Sequence, residues 1–221
     1  IQFDVIASPF QREPAPFPTP ADTRDGRWRQ DLAYLASELP ALHRSAFFAI
    51  TREAFDAQVA ALDAEIPTLT DEQIITRMSA IVASISDGHT QLFVHYVDVF
   101  EQFPLGMAWY GDELVVTSAH PDYREAVGTR VVQIGNSELA AARDAVALVI
   151  SHDNAQQLRS ETPIYLRTPA ILYALGILSS ADSDEYTFER ADGQTFTLTL
   201  TPTADDVQYE AVTLYDVLDI E

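Results

Sequence analysis

One histidine of this sequence lies where a helical pattern changes into a strand pattern. It is His89, within the segment SISDGHTQLFV at residues 84 to 94 and directly after Gly88. An imidazole in such a position can act as a general base that takes a proton from a hydroxyl group within hydrogen-bond reach. It can equally follow a glycine that ends a helix and bond the last backbone carbonyls, without any catalytic role. The residues around His89 leave both roles open.

The other candidate ligands do not complete a metal site. His95 follows His89 by six residues, but a zinc ion needs a third protein ligand and the spacing identifies none. We therefore expect no metal site. Acidic residues are numerous, yet their spacing selects no pair for glycoside hydrolysis. Four further residues are expected to be solvated in loops or at helix ends, namely His43, His120, His152 and Asp153.

The composition excludes several other chemistries. The net charge is −21, from 34 acidic and 13 basic residues, so electrostatic repulsion disfavours nucleic acid and anionic membrane surfaces as partners. The sequence has no cysteine and no lysine, and all 13 basic residues are arginines. These compositional facts exclude a thiol nucleophile, a disulfide, a cysteine-bound metal, a Schiff base and a Ser-Lys catalytic pair. We expect no cofactor.

No part of the sequence predicts insertion into a membrane. Its apolar runs are shorter than the roughly 20 residues that a helix needs to cross a bilayer. The N-terminus lacks the basic and then apolar order of a signal peptide. The sequence begins at Ile1 and not at a methionine, which suggests that a leader was removed or that a longer protein was cut.

The first part of the sequence predicts an extended arm and three helices. Residues 1 to 24 contain five prolines, which disfavour regular structure. Between residues 25 and 88, apolar residues recur three or four positions apart along three segments, as they do on amphipathic helices. Pro40 predicts a kink or break near Leu39 in the first helix. Thr51 is a candidate cap of the second helix, and Thr70 with Gln73 forms a capping box for the third.

Residues 89 to 202 predict a mostly antiparallel sheet with helical insertions. Alternating apolar residues indicate strands, and the pairs Gly-Asp and Asp-Gly indicate tight turns. The predicted strands cover residues 90–96, 104–110, 113–119, 131–135 and a hairpin within 185–201; the predicted helices cover 138–150 and 169–176. The tail at residues 203–221 is acidic. The predicted fold class is α+β, with a three-helix bundle followed by a β domain.

The order of these features resembles the front half of the S41 family of serine peptidases, which includes the C-terminal processing proteases and tricorn-like relatives. The segment RWRQDLAYLASELPALHRSAF and the stretch that ends in SDGHT resemble the family's leading helical bundle. FPLGMAWYGDELVVTSAHPDYREAVGTRVVQIGN resembles its PDZ-like domain, and YLRTPAILYALGIL resembles an elaboration found in exported members. The resemblance covers residues 25 to 202 and rests on the order of these segments.

The resemblance implies roles for two parts of the sequence. In the tricorn-like branch the catalytic base is a histidine at the helix-to-strand junction, and His89 matches it. The segment QFPLGMAW matches the loop and strand where a PDZ-like domain holds a peptide carboxylate on backbone N–H groups and adds the peptide to a sheet edge. This match implies four peptide-binding residues: Phe103, Leu105, Gly106 and Met107. An ordinary apolar strand that enters a core explains the same segment, and the net charge disfavours acidic peptide tails.

In the S41 family a catalytic domain with the nucleophilic serine follows the PDZ-like domain, and this sequence ends before that point. We therefore expect the non-catalytic N-terminal region of an exported S41-type serine peptidase, inactive alone. It positions a peptide or protein substrate and contributes His89 to the active site of the complete protein. A free-standing exported peptide-binding or scaffold protein is the alternative. A hydrolase that pairs His89 with a local serine or aspartate is a third possibility.

Overall fold

The computed structural model describes residues 14–92, 100–203 and 212–218. Within these residues the chain has seven α-helices and one sheet of seven strands whose pairings are antiparallel. This architecture confirms the predicted α+β class. No helix in the described ranges is long and apolar enough to cross a membrane.

Three helices near the N-terminus pack into a bundle. They are α1 (Arg24–Leu42), α2 (Arg52–Glu65) and α3 (Asp71–Ala83), with a 3-10 turn at Ile66–Thr68. Each begins after a threonine whose hydroxyl accepts a backbone N–H from the first turn, because these N–H groups have no partner within the helix. At α3 the predicted capping box between Thr70 and Gln73 is present in both directions.

Of the predicted kink or break near Leu39, the break is not observed, because α1 continues to Leu42. A proline removes one N–H donor and crowds the preceding turn, which is most costly in the middle of a helix. Pro40 lies in the last turn of α1, and the next turn closes normally, with the His43 N–H donating to the Leu39 carbonyl at 2.9 Å. The helix thus ends two residues after the proline.

The bundle has its own buried core. Apolar side chains from all three helices and the 3-10 turn meet there with at most 3% exposure, among them Leu32, Phe55, Leu62, Ile66, Ile74 and Ile81. The described part of the arm, residues 14 to 22, has no helix or strand. It lies along α1, where the Tyr34 hydroxyl donates to the Ala15 carbonyl at 2.8 Å.

The sheet follows the bundle in the chain. Its main strands are β1 (Leu105–Tyr110), β2 (Glu113–Ala119), β3 (Arg130–Ile134), β5 (Asp184–Glu189) and β6 (Thr195–Leu200). They lie in the order β1-β2-β3-β5-β6, so β1 and β6 are the two ends of this path. Two short strands, β4 (Ser137–Glu138) and β7 (Val212–Thr213), pair with β3 and β2. The turns at Gly111 and Gly193 have positive φ, as their tight reversals require.

Four helices accompany the sheet: α4 (Leu139–Ala147), α5 (Ala155–Tyr165), α6 (Pro169–Ala174) and α7 (Leu214–Leu218). The sequence analysis predicted α4 and α6 but missed α5. This helix begins after Asn154, whose side chain accepts the N–H groups of Gln156 and Gln157. Pro163 lies inside it and masks the helical pattern in the sequence.

The sheet and its helices enclose a second buried core, distinct from that of the bundle. Leu92 packs against both cores, and α3 packs against α6, so the two parts are in contact. The predicted strand at 90–96 is not formed over residues 90–92. Its remainder, with His95, lies outside the described residues.

Candidate functional site

The sequence suggested that Gly88 ends a helix and that His89 follows directly, and the structure differs from this expectation. The helix ends at Ala83, six residues before His89. Ser86, and not Gly88, has the positive φ of 59° in this segment, a conformation that costs a non-glycine residue about 1–2 kcal/mol. Ser84 is the C-cap of α3, so His89 does not directly follow the last turn of this helix.

Asp87 organises this junction. One of its carboxylate oxygens accepts the backbone N–H of His89 at 2.9 Å. The other accepts the Thr90 hydroxyl at 2.9 Å and His43 Nε2 at 2.7 Å. The Ser45 N–H donates to the other ring nitrogen of His43 at 3.1 Å, which fixes the tautomer with the proton on Nε2. His43 is thus a partner of Asp87, and its predicted role as a solvated loop residue is wrong.

The ring of His89 lies at the surface beside two carboxylates. Its side chain is 91% exposed, and its Nδ1 atom is 3.8 Å from Asp87 Oδ1 and 3.8 Å from Asp153 Oδ2. Asp153 comes from the loop before α5, and its Oδ1 accepts the Gly88 N–H at 2.7 Å. At 3.8 Å both carboxylates lie beyond hydrogen-bond distance of Nδ1, so neither of them holds the ring in one orientation.

The same three residues form a candidate metal centre. Ligand atoms of Asp87, His89 and Asp153 lie within 4.8 Å of one another. The spacing of residues in the sequence identified no third ligand for His89, whereas the fold brings Asp153 beside it from a distant loop. The carboxylates already accept hydrogen bonds from His43, Thr90 and the backbone, so holding the junction is a sufficient role for them.

These hydrogen bonds make Asp87 a pH-dependent contributor to stability. The His89 N–H, followed by the His43 and Thr90 side chains, lowers the pKa of Asp87 to about 2. Because the pKa is lower in the folded state, the stabilisation is present above pH ~4 and is lost as the pH falls through about 2. We expect Asp87→Asn to lower the free energy of unfolding by about 1–2 kcal/mol at pH 7, as measured by urea denaturation.

The pH dependence of this loss distinguishes it from a general packing defect. The difference between wild type and Asp87→Asn should shrink as the pH falls from ~4 to 2, because both proteins then carry a neutral group. Asp144→Asn, at a side chain that is 71% exposed, is the matched control with an effect near zero. A constant difference across this pH range contradicts the assignment.

A groove runs between strand β1 and helix α5. It has a volume of about 570 Å³. Residues 106 to 109 of β1 form one wall, and the side chains of α5 form the other, namely Gln156, Arg159, Ser160, Pro163 and Ile164. Over the described residues, β1 pairs with β2 on one side only. The second edge of β1 therefore faces the groove with backbone groups that an added strand could bond.

The four predicted peptide-binding residues divide into two pairs. Gly106 and Met107 line the groove. Phe103 and Leu105 are 0% exposed and belong to the core beneath the sheet. The ring of Phe103 packs edge-on against Tyr186, with 5.3 Å between ring centroids. The side chains of Phe103 and Leu105 are therefore not available to a ligand in the groove.

The loop before β1 does not offer free backbone donors for a carboxylate. The Gln102 N–H donates to the Thr203 carbonyl at 3.3 Å, and the Phe103 N–H donates to the Arg167 carbonyl at 2.8 Å. The Leu105 N–H donates to the Phe103 carbonyl at 2.8 Å, and Pro104 has no N–H. A carboxylate at this end of the groove needs donors from another source.

Helix α5 connects the groove with the His89 junction. Gln156 lines the groove, while the neighbouring Gln157 packs against Gly88 so closely that a Cβ on Gly88 would lie 2.3 Å from the Gln157 amide. The Gln157 side chain also accepts the Asp153 N–H at 2.9 Å. Sequence reasoning missed this helix, and with it Arg159 and the role of Asp153. The one signal was Asn154, a strong N-cap residue.

This chain is similar to known proteins in its fold only. No protein family model and no curated protein matches the sequence. Mature CPAF, a chlamydial serine protease, matches in its complex with lactacystin at a TM-score of 0.56 and 13% identity over 80% of this chain and 35% of that chain. This chain therefore shares its fold with part of CPAF.

Two further CPAF structures agree with this result. Mature CPAF alone gives a TM-score of 0.53 at 13% identity, and a point mutant of CPAF gives 0.54 at 14% identity. Each match covers 80% of this chain and 34% of the CPAF chain. This chain thus spans about a third of the length of the solved structures it resembles.

Proposed function

We propose that this chain is the peptide-binding, non-catalytic region of an S41-type serine peptidase. Its β-sheet unit is a PDZ-like domain, and the groove between β1 and α5 receives an extended substrate peptide. The observation that carries the proposal is this groove, which combines a helical wall with an edge of β1 that pairs with no other strand in the described ranges. A peptide that adds to such an edge gains main-chain hydrogen bonds, and its alternate side chains enter the groove.

His89 is proposed to join the active site of the complete protein as its general base. Support comes from its exposure and from the two carboxylates at 3.8 Å from Nδ1, which lie on the side where a catalytic triad has its acidic residue but beyond hydrogen-bond distance. The base acts on a serine hydroxyl within hydrogen-bond reach. On this proposal the serine is supplied by a domain outside this chain, and the chain alone binds peptide without hydrolysing it.

Hydrogen exchange tests whether peptides add to β1. The probe is the hexapeptide Glu-Val-Ala-Val-Ala-Val with a free C-terminus, added at saturating concentration. We expect amides along Leu105–Tyr110 to exchange at least about tenfold more slowly, because the peptide covers and bonds the strand edge. Strand β6, Thr195–Leu200, is the opposite end of the strand path and serves as the internal control, with unchanged exchange.

A blocking variant supplies the second arm of this test. Ser160 is exposed and lines the groove, so Ser160→Trp should fill the groove without disturbing the core and abolish the protection of β1. Ala57→Trp, on the exposed surface of α2, should leave it intact. Equal protection at β1 and β6, or protection that survives Ser160→Trp, contradicts binding in this groove.

A further inference from the structure

The edge of β1 that faces the groove presents its backbone groups at alternate residues. Val116 of β2 directs its backbone away from β1, because its N–H donates to the Thr129 carbonyl at 3.0 Å and its carbonyl accepts the Gly128 N–H at 2.9 Å. Met107 lies opposite Val116, so its own N–H and carbonyl point away from β2 and towards the groove. Trp109, two residues further along β1, has the same orientation.

The open part of this edge is short, because it is closed at both ends. At the start of β1, the Leu105 N–H donates to the Phe103 carbonyl and the Leu105 carbonyl accepts Arg167 Nη1, both at 2.8 Å. Just after the end of β1, the Gly111 carbonyl accepts Arg159 Nη2. In the described part of the chain, no hydrogen bond reaches the outward backbone groups of the two residues between these ends.

The side chains of these two residues show which face of the sheet an added strand would share. Their partners on β2, Leu114 and Val116, are 0% exposed. Directly paired residues point to the same face of a sheet, so Met107 and Trp109 face the side of the core. Helix α5 covers β1 on that side, where Arg159 lies 5.3 Å from the centre of the Trp109 ring. A peptide residue that pairs with either position therefore turns its side chain towards α5.

The wall of α5 offers an apolar surface to such side chains. Pro163 and Ile164 line the groove together with Met107 and Trp109. Burial of aliphatic side chains against these residues is favourable. Side chains alternate along a strand, so the peptide residue between the two paired positions points to the opposite face, away from α5. The groove thus reads two apolar residues separated by one residue.

Neither end of the open edge suits a terminal carboxylate. The backbone N–H groups of the loop before β1 are bonded within the protein, and Arg167 already holds the Leu105 carbonyl. At the other end, Asp112 Oδ1 lies 4.0 Å from Arg159 Nη1. The pocket that adjoins this end, about 260 Å³ in volume, is also lined by Asp144, so a carboxylate there would meet negative charge.

We infer that the groove binds internal segments of extended peptides, with two apolar side chains at positions i and i+2 turned towards α5. This inference rests on the proposed peptide-binding function. A peptide antiparallel to β1, as in the strand pairings described in this sheet, exchanges two hydrogen bonds with Met107 and two with Trp109. The substrate class is therefore an unfolded chain that is held away from its ends.

Three peptides of identical composition test this selection by fluorescence polarisation, each labelled at its N-terminus. The first is Gly-Ser-Ser-Val-Ala-Val-Ser-Ser-Gly with an amidated C-terminus. The second, Gly-Ser-Ser-Val-Val-Ala-Ser-Ser-Gly amide, places its valines on opposite faces, and we expect it to bind about tenfold more weakly. The third, Gly-Ser-Ser-Gly-Ser-Ser-Val-Ala-Val, has a free C-terminal carboxylate and should bind no more tightly than the first.

Methylation of single backbone nitrogens tests the register. In the first peptide both valine N–H groups point to β1, whereas the alanine N–H points away. A methyl group on the second valine nitrogen should weaken binding about tenfold or more, because it removes a donor and crowds the strand edge. A methyl group on the alanine nitrogen is the matched control without effect. In the protein, binding of the first peptide should slow exchange of the Met107 and Trp109 amides, and Ser160→Trp should abolish this protection.

The outcomes separate the inference from the proposed function. Tighter binding of the third peptide, lost when its C-terminus is amidated, would show that the groove reads a chain end and would overturn the inference, while the peptide groove stands. Equal binding of the first two peptides, or equal effects of the two methyl groups, would overturn the register. If no peptide binds and β1 shows no protection from exchange, the proposed function fails as well.

Discussion

Gly135→Ala is expected to destabilise the protein by about 3 kcal/mol in urea denaturation. Gly135 has a φ of +53°, a conformation that costs an alanine about 1–2 kcal/mol. A Cβ at this position would lie 2.5 Å from the Ile177 carbonyl oxygen and 3.0 Å from the Leu178 side chain. The backbone that follows α6 would have to move, and such overpacking costs a further ~1–3 kcal/mol.

Gly176→Ala is the matched control for the steric part of this effect. Gly176 has a φ of +74°, and a Cβ there meets no atom within 4 Å. Its expected cost is therefore only the backbone part, about 1 kcal/mol. Equal losses for the two variants would show that the contact between Gly135 and the segment after α6 is looser than the structure indicates.

Phe103→Ala is expected to cost about 3–5 kcal/mol of unfolding free energy, the usual range for a buried phenylalanine. The side chain is 0% exposed and packs against Tyr186, which is also 0% exposed. The loss should appear in urea denaturation without any peptide present. This result would establish that the residue supports the sheet from below, in contrast to the ligand-contacting role that the sequence suggested.

Met107→Ala is the companion variant, since Met107 lines the groove and is only half-buried. The Met107→Ala variant should lose about 1 kcal/mol of unfolding free energy. It should bind the hexapeptide more weakly than the wild-type protein does. If Phe103→Ala instead retained full stability and lost only peptide binding, the placement of Phe103 in the core would be wrong.

Local sequence signals predicted most of the helices and strands. Threonines at 51 and 70 cap the second and third bundle helices, and Asp192 with Gly193 forms the turn of the β5–β6 hairpin. Such features depend on side chains within a few residues of one another, so a single sequence is enough to indicate them. The α+β class followed from their order.

The candidate site was predictable only in part. The resemblance pointed to His89, Gly106 and Met107 as candidate site residues. The groove also depends on α5, which the sequence did not indicate because Pro163 interrupts its helical pattern. The carboxylates around His89 come from Asp87 nearby and Asp153 far along the chain. Which distant residue meets His89 depends on how the sheet packs against the bundle, and no local pattern encodes that packing.

The hydrogen bond between Asp153 and the Gly88 backbone also sets an order of events during folding. These residues are 65 positions apart, and Gln157, which also bonds Gly88, is 69 positions away. Contacts between such distant residues require a large loop to close and form late compared with helical turns. During synthesis, a chain that has left the ribosome only as far as the bundle contains all of α3. It still lacks Asp153 and Gln157, which bond Gly88 next to His89. On this order of folding, His89 reaches its final position only after α5 has formed. A partly synthesised chain that ends before α5 therefore lacks the proposed catalytic base in its final position.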